Sequence, residues 1–458
     1  MTGGRLGRMV SGRYNRTRSR GLPRDRVRIG SVPALQSRKF RLLASGQFVS
    51  NVGDGLYAVA LPWYVLSHHG GALLLGAVLA AYGIPRTCLI VVGGHLADRF
   101  GSWTVMMGAD IGRLALAGGL ALLAATHHPD LLALAPIAFG LGAGEGLFLP
   151  ASFAIMPNLV AEDQLQSGNA MLSAGTQLAG FAGPALGGVV VATIGSAAGF
   201  GLDGLTFAVS ALTLWRLGTT AAARIAASGA VGSAEPAHGE PARPPVSFRA
   251  FLRSEPVVLL LMAINVAANL GSAGTSEVAL PLFAREHLHA GAGGYGLLIS
   301  VFGVGALAGS VVATRMSRLR RPAVVAGLIF LLQTPLVICL AIAPSLAVAA
   351  VMVALWGGLN MSANITTQTA FQRWAPPALI GRLSGLLLVT SYGMFPISVA
   401  LAGFVAHRFG PGAFFALSGV TMAITLVWAL SKQAFREFGT RPARLPAVPA
   451  RVPAGQAS

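Results

Sequence analysis

Three charged residues, Asp54, Arg86 and Glu145, stand near the middle of long apolar segments. A charge at the centre of a bilayer costs roughly 2.5–3.5 kcal/mol even on lenient scales. Such residues persist where they face each other or a wet cavity, so they mark a transport pathway and groups that hold a proton or a substrate. Each falls about 13–14 residues into its segment, which at a helical rise of ~1.5 Å per residue gives the three a common depth. Low dielectric favours the neutral form of a lone carboxyl, and an arginine beside it favours the charged form. Competition of proton and substrate for Asp54 or Glu145 would couple their movements. The alternative is a buried ion pair that only fixes helix packing, with Arg86 taking either carboxylate.

The segments that carry these residues are membrane spans. Of 458 residues, 54% are apolar and only 10% charged, with a mean hydropathy of +0.67. Soluble domains carry about 25% charged residues. The expected fold is all-α and integral to the membrane, with twelve transmembrane helices in two six-helix halves. Spans are predicted at 41–66, 72–97, 103–126, 131–155, 166–194 and 197–217, then at 256–284, 292–314, 322–343, 345–371, 382–406 and 412–431. The N-terminal bundle is taken as 41–217 and the C-terminal bundle as 255–432. A Pro- and Ala-rich linker, 218–254, joins them, and its Phe248, Arg249, Phe251 and Leu252 suit a short helix on the membrane surface. Residues 1–40 and 433–458 read as disordered tails, the first strongly basic, and the long apolar run after it is not the short core of a cleaved signal peptide.

The net charge of +18 is a matter of orientation, not nucleic-acid binding. With both termini in the cytoplasm, 29 of the 33 Lys and Arg lie inside and only Arg285 and Arg408 outside. That satisfies the positive-inside rule. Cys88 and Cys339 fall within apolar segments and read as small core residues. The loop histidines, such as His68, His127, His128 and His287, read as solvated, and no metal constellation is legible.

The halves repeat. Ala60-Leu61-Pro62 recurs as Ala279-Leu280-Pro281; Gly76 and Gly83 match Gly296 and Gly303; Gly188 and Gly195 match Gly403 and Gly410. Transporters built from two such halves place substrate between them, near the midplane.

Gly94-His95-Leu96-Ala97-Asp98-Arg99-Phe100-Gly101 resembles the loop signature of the major facilitator superfamily, and Gly183-Pro184-Ala185-Leu186-Gly187-Gly188, with Gly175 upstream, resembles the antiporter signature of its efflux members. Gly53-Asp54-Gly55 and Gln372 to Arg382 are similar to the macrolide-efflux and enterobactin-export branch. The resemblance implies export of a small molecule driven by proton entry, with spans 1 and 4 lining the cavity. One departure is Ser102-Trp103, where the family carries basic residues.

Within the loop motif, Asp98 is expected to latch the cytoplasmic side against a helix N-terminus of the other half, worth about 0.3–1 kcal/mol. Asp110 and Arg113, three residues apart on one helix face, are expected in the cytoplasmic half of span 3 as a self-neutralising pair, with Arg113 replacing the missing loop arginine near Asp98. Asp203 and Glu277 read as solvated span ends. Asn265, Asn269, Asn360, Asn364 and Gln368 are polar candidates that either bond neighbouring helices or line the cavity, so the second half forms an uncharged wall.

The leading expectation is a proton-coupled exporter of a small amphipathic molecule: a monomer in the cell membrane, without cofactor or enzymatic activity. No nucleotide-binding loop is present, so a proton or other ion gradient supplies the energy. An uptake symporter and a non-transporting receptor are the alternatives.

Overall fold

Lipid offers no partner to a backbone N–H or C=O, so apolar runs of this length must bond internally as helices. A computed structural model describes residues 33–126, 131–227, 248–316, 320–376 and 378–440. The first half comprises α1 (Arg38–Ser67), α2 (Gly71–Phe100), α3 (Ser102–Ala125), α4 (Leu134–Ala154), α5 (Leu165–Thr193) and α6 (Ser196–Ala227). The short α7 (Phe248–Ser254) precedes the second half, where the linker's aromatic end called for it. There α8 (Pro256–Gly274) continues through a π-turn, Thr275–Ala279, into α9 (Leu280–Glu286). Then come α10 (Ala292–Met316), α11 (Pro322–Leu340), α12 (Leu346–Trp374), α13 (Ile380–Phe409) and α14 (Pro411–Ser431), with a last turn, α15 (Gln433–Arg436).

Among the described residues, eleven helices are long and apolar enough to cross a membrane, with α8, the π-turn and α9 counted as one. The twelfth long helix is α1, whose 30 residues include Gln47, Ser50, Asn51 and Asp54 and so fall below that apolarity.

The repeat seen in the sequence governs how the halves meet. A Cβ on Gly76 would lie 2.9 Å from the Gly403 Cα, and one on Gly188 would lie 2.8 Å from the Gly296 Cα. Gly76 is the repeat mate of Gly296, and Gly188 that of Gly403, so the contacts form a pair related by the internal two-fold. Gly83 against Phe395 and Gly303 against Phe181 repeat the pattern one level deeper. All four contacts lie toward the end that holds the α1–α2 and α13–α14 turns. Toward the opposite end, a side chain on Gly381 or Gly385 of α13 would meet nothing within 4 Å.

Several boundaries move. Residues 33–40 and 433–440, assigned to tails from sequence, are structured. The Ser37 hydroxyl accepts from the Phe40 N–H at 3.3 Å, and Ala34, Phe40, Phe435 and Phe438 are buried. Aromatic side chains next to a span end find apolar surface to cover, and polar composition around them hid this. Cys88 and Cys339 are exposed on their helices instead of packed in the core. An apolar span has a lipid face as well as an interior face, and hydropathy alone does not separate them. Residues 1–32, the linker centre 228–247, residues 441–458, and His127 and His128 lie outside the described residues.

Candidate functional site

Glycines bring the first charged pair together. On α4, a Cβ at Gly146 would lie 2.6 Å from the Arg86 carbonyl oxygen, and one at Gly142 would collide with the Tyr82 carbonyl. The two helices therefore touch backbone to backbone on either side of Glu145. Its Oε1 lies 2.8 Å from an Arg86 guanidinium nitrogen, and each side chain is 20% exposed. The Tyr82 hydroxyl donates a short hydrogen bond to the other oxygen, Oε2. Arg86 also reaches the second half: its guanidinium stands 4.8 Å from the Tyr392 ring centroid and 5.9 Å from that of Phe395, both on α13. Next to it, the Thr87 hydroxyl donates to the Tyr392 carbonyl at 2.9 Å.

The second pair keeps Asp110 beside Arg113 on one helix face, as expected, but turns Arg113 to a different main partner. Arg113 is not held to the α2–α3 loop; its guanidinium bonds Asp54 Oδ1 at 2.6 Å and stands 3.9 Å from Asp110. A helix rise of ~1.5 Å per residue already puts Arg113, eleven residues from the start of α3, at mid-membrane. Gly144 makes room for it, since a Cβ there would lie 2.6 Å from Arg113 Cγ. The guanidinium also covers the Phe207 ring at 3.9 Å. Asp98 is exposed at the end of α2, beyond any contact with this pair, and Arg99 lies over Phe100 at 5.3 Å.

Two further carboxylates sit behind these pairs. Asp110 is fully buried, and neither of its oxygens has a hydrogen-bond partner. Asp203, expected at a solvated span end, is 1% exposed, and its Oδ1 is also unpartnered. It packs behind α1, where a Cβ on Gly53 would lie 2.7 Å from Asp203 Oδ1. Helix ends in a bundle are wet only on the face turned outward, and Asp203 is turned inward. Asp54, Asp110, Glu145 and Asp203 against Arg86 and Arg113 leave a formal charge of −2 when all are ionised. The sequence trio alone left −1.

These groups border water-sized space. A cavity of about 580 Å³, walled mostly by the first half, is lined by Asp54, Arg86, Arg113 and Glu145, with Asn51 and, from the second half, Tyr392. A second, about 430 Å³ between the halves, shares Asn51, Asp54, Thr176 and Gln177 with it and adds Glu277. A third, about 370 Å³, lies in the second half among Asn265, Asn364, Gln368 and Ser391. The amide stripe on α12 thus divides. Asn360 donates to Gln333 at 3.5 Å, whereas Asn364 and Gln368 face the cavity. Asn269 bonds Asn265 and Ser391 at 3.1 and 3.2 Å. The second half is not an uncharged wall, because Glu277 lines the space between the halves.

Comparison with known proteins decides the family. The model for transmembrane secretion effectors of the major facilitator superfamily matches residues 29–440. The chain belongs to this family. It is a multi-pass membrane transporter, not an enzyme. The facilitator chain is 27% identical over 402 residues to the enterobactin exporter EntS of Citrobacter koseri, covering 84% of this chain and 89% of that one. It is also 27% identical over 413 residues to the multidrug efflux pump Tap of Mycobacterium tuberculosis, covering 88% and 95%. Two solved structures share the facilitator fold. A bacterial homologue of the human lysosomal transporter Spinster has a TM-score of 0.64 at 14% identity, covering 90% of this chain and 98% of that one. A D-xylose–proton symporter has 0.64 at 13%, covering 85% and 96%.

The facilitator's glycine motif on α5 has two packing duties. Gly183 and Gly187 lie against Val52, Gly55 and Leu56 of α1, while Gly188 reaches α10 of the other half. Pro184 lines the inter-half cavity, and Gly175 has ordinary contact distance, 3.8 Å, to Phe48.

Proposed function

We propose that this transporter exports a small amphipathic molecule from the cytoplasm by proton antiport and alternating access. One observation carries the reading: Asp54 borders two cavities while its carboxylate is held at 2.6 Å by a buried arginine. Asp54 is 37% exposed, whereas Arg113 is 4% exposed. The carboxylate is therefore open to water and to a ligand from one side, and its charge is fixed from the other. Protonation of Asp54 would release Arg113 toward Asp110. Protonation of Glu145 would release Arg86 from its place beside Tyr392, which is a contact between the halves. A proton on either carboxylate thus alters packing at the seam that must open.

We place the protein in the cell membrane with both termini in the cytoplasm, as the basic residues favour. The end opposite the glycine seams then faces the cytoplasm, from which an exported molecule enters. The kinship with EntS and Tap supports export over uptake.

The test is flux into inverted membrane vesicles with an acidic lumen, against a panel of antibiotics and siderophores. Gradient-driven accumulation of at least one compound is expected. Asp54→Asn and Glu145→Gln are each expected to abolish its dependence on the gradient. Unchanged gradient-driven accumulation in both variants would overturn the assignment.

A further inference from the structure

The π-turn between α8 and α9 is built into the second half. Pro281 lacks the N–H that would bond the Glu277 carbonyl, so the regular ladder cannot continue there. Hydroxyl groups from neighbouring helices take up the freed backbone. The Gly274 N–H donates to the Ser398 hydroxyl at 2.7 Å, and the Tyr295 hydroxyl donates to the Ser276 carbonyl at 3.2 Å. Val278, Ala279 and Leu280 are buried, while Glu277 borders the cavity between the halves. π-turns of this kind recur at functional sites.

Among the described residues Glu277 has no counter-ion. The two arginines of the membrane interior are already engaged, Arg86 with Glu145 at 2.8 Å and Arg113 with Asp54 at 2.6 Å. Besides Asp54, which is paired with Arg113, the rest of the cavity wall is apolar and weakly polar, with Phe181, Phe302 and Trp356 as its aromatic members. Trp356 is 5% exposed, packs edge-on to Phe302 at 5.0 Å, and has an indole N–H without an acceptor.

We propose that the inter-half cavity binds an organic cation with an apolar or aromatic body, for which Glu277 is the counter-ion. Two observations converge on that chemistry. A carboxylate at this depth is costly until it is paired. Aromatic faces attract a cation within about 6 Å of their centroids. A cavity of about 430 Å³ admits a drug-sized ligand. An anion would meet Glu277 with like charge, and a neutral molecule would leave it uncompensated. The proposal rests on the reading that substrate passes through this cavity, and its test needs no gradient.

Tetraphenylphosphonium and tetraphenylborate have the same shape and opposite charge. Equilibrium binding of each to the purified full-length protein in detergent separates charge from apolar contact. The phosphonium is expected to bind and the borate not. Glu277→Gln is expected to weaken phosphonium binding by about tenfold or more, and Glu277→Asp to retain most of it. Equal binding of the two ions by the wild type, or equal phosphonium affinity in wild type and Glu277→Gln, overturns the proposal. The comparison of the two ions on the wild type stands even where Glu277→Gln does not fold. Phosphonium binding without gradient-driven flux would count against proton coupling alone. Flux without phosphonium binding would count against this site alone.

Discussion

At the scale of single residues, the buried pairs set what can be changed without collapse. Removing one partner of a buried ion pair leaves the other charge uncompensated, at a cost of about 3–5 kcal/mol. Asp54 is partly wet, so Asp54→Asn belongs at the lower end of that range, and the cost falls mainly on Arg113, which is 4% exposed. We therefore expect Asp54→Asn to lower the melting temperature of the detergent-purified protein. Asp54→Asn combined with Arg113→Met is expected to be less destabilised than the sum of the two single changes. Additive losses, measured by thermal unfolding of the four proteins, would show that the pair is not coupled. Asp54, Arg86 and Glu145 were legible from residue type and depth alone. Arg113 as the partner of Asp54 was missed because its proximity in sequence to Asp110 and to the loop motif suggested a local partner. Its own depth on α3 was the signal that pointed the other way. Asp203 and Glu277 were missed for a different reason: hydropathy gives the depth of a residue and is silent on which side of its helix faces the bundle.

At the scale of elements, small residues decide which helices touch. Gly142 and Gly146 bring α4 onto α2, Gly183 and Gly187 bring α5 onto α1, and Gly188 meets Gly296 across the halves. The repeat was readable in the sequence as matching glycines. That Gly76 would touch the mate of Gly188, and Gly188 the mate of Gly76, follows from a two-fold axis that spacing does not reveal. Gly188→Val places methyl groups where a Cβ alone would lie 2.8 Å from the Gly296 Cα. Overpacking costs about 1–3 kcal/mol, and here it falls on the state in which this end is shut. That shifts the balance toward opening at the seam by about 5-fold to 150-fold. The expected outcome is transport reduced by an order of magnitude or more, with normal amounts of protein in the membrane. Gly108→Ala on α3 is the control, because a side chain there would meet nothing within 4 Å. Equal flux in Gly188→Val and Gly108→Ala would remove the seam from the mechanism.

At the scale of the whole molecule, the glycine seams join the halves at one end, and the expected latch residue sits at the other. Asp98 is exposed there. Its partner, a helix N-terminus of the other half, can come within reach only when that end closes. An aspartate at a helix N-terminus gains about 0.3–1 kcal/mol, which corresponds to a population shift of about 2-fold to 5-fold. Asp98→Asn should therefore leave thermal stability unchanged and favour the state open at that end by a similar factor. Ser173 lines the first-half cavity and is exposed, so Ser173→Cys reports its access. Cys88 and Cys339, both exposed, are first replaced by Ser. A membrane-impermeant maleimide should label Ser173→Cys faster in inverted vesicles than in right-side-out ones. Adding Asp98→Asn should raise that rate about 2-fold to 5-fold. Faster labelling in right-side-out vesicles would reverse the orientation drawn from the basic residues. An unchanged rate with Asp98→Asn would leave the loop motif as a polar turn, its glycines serving only the geometry between α2 and α3.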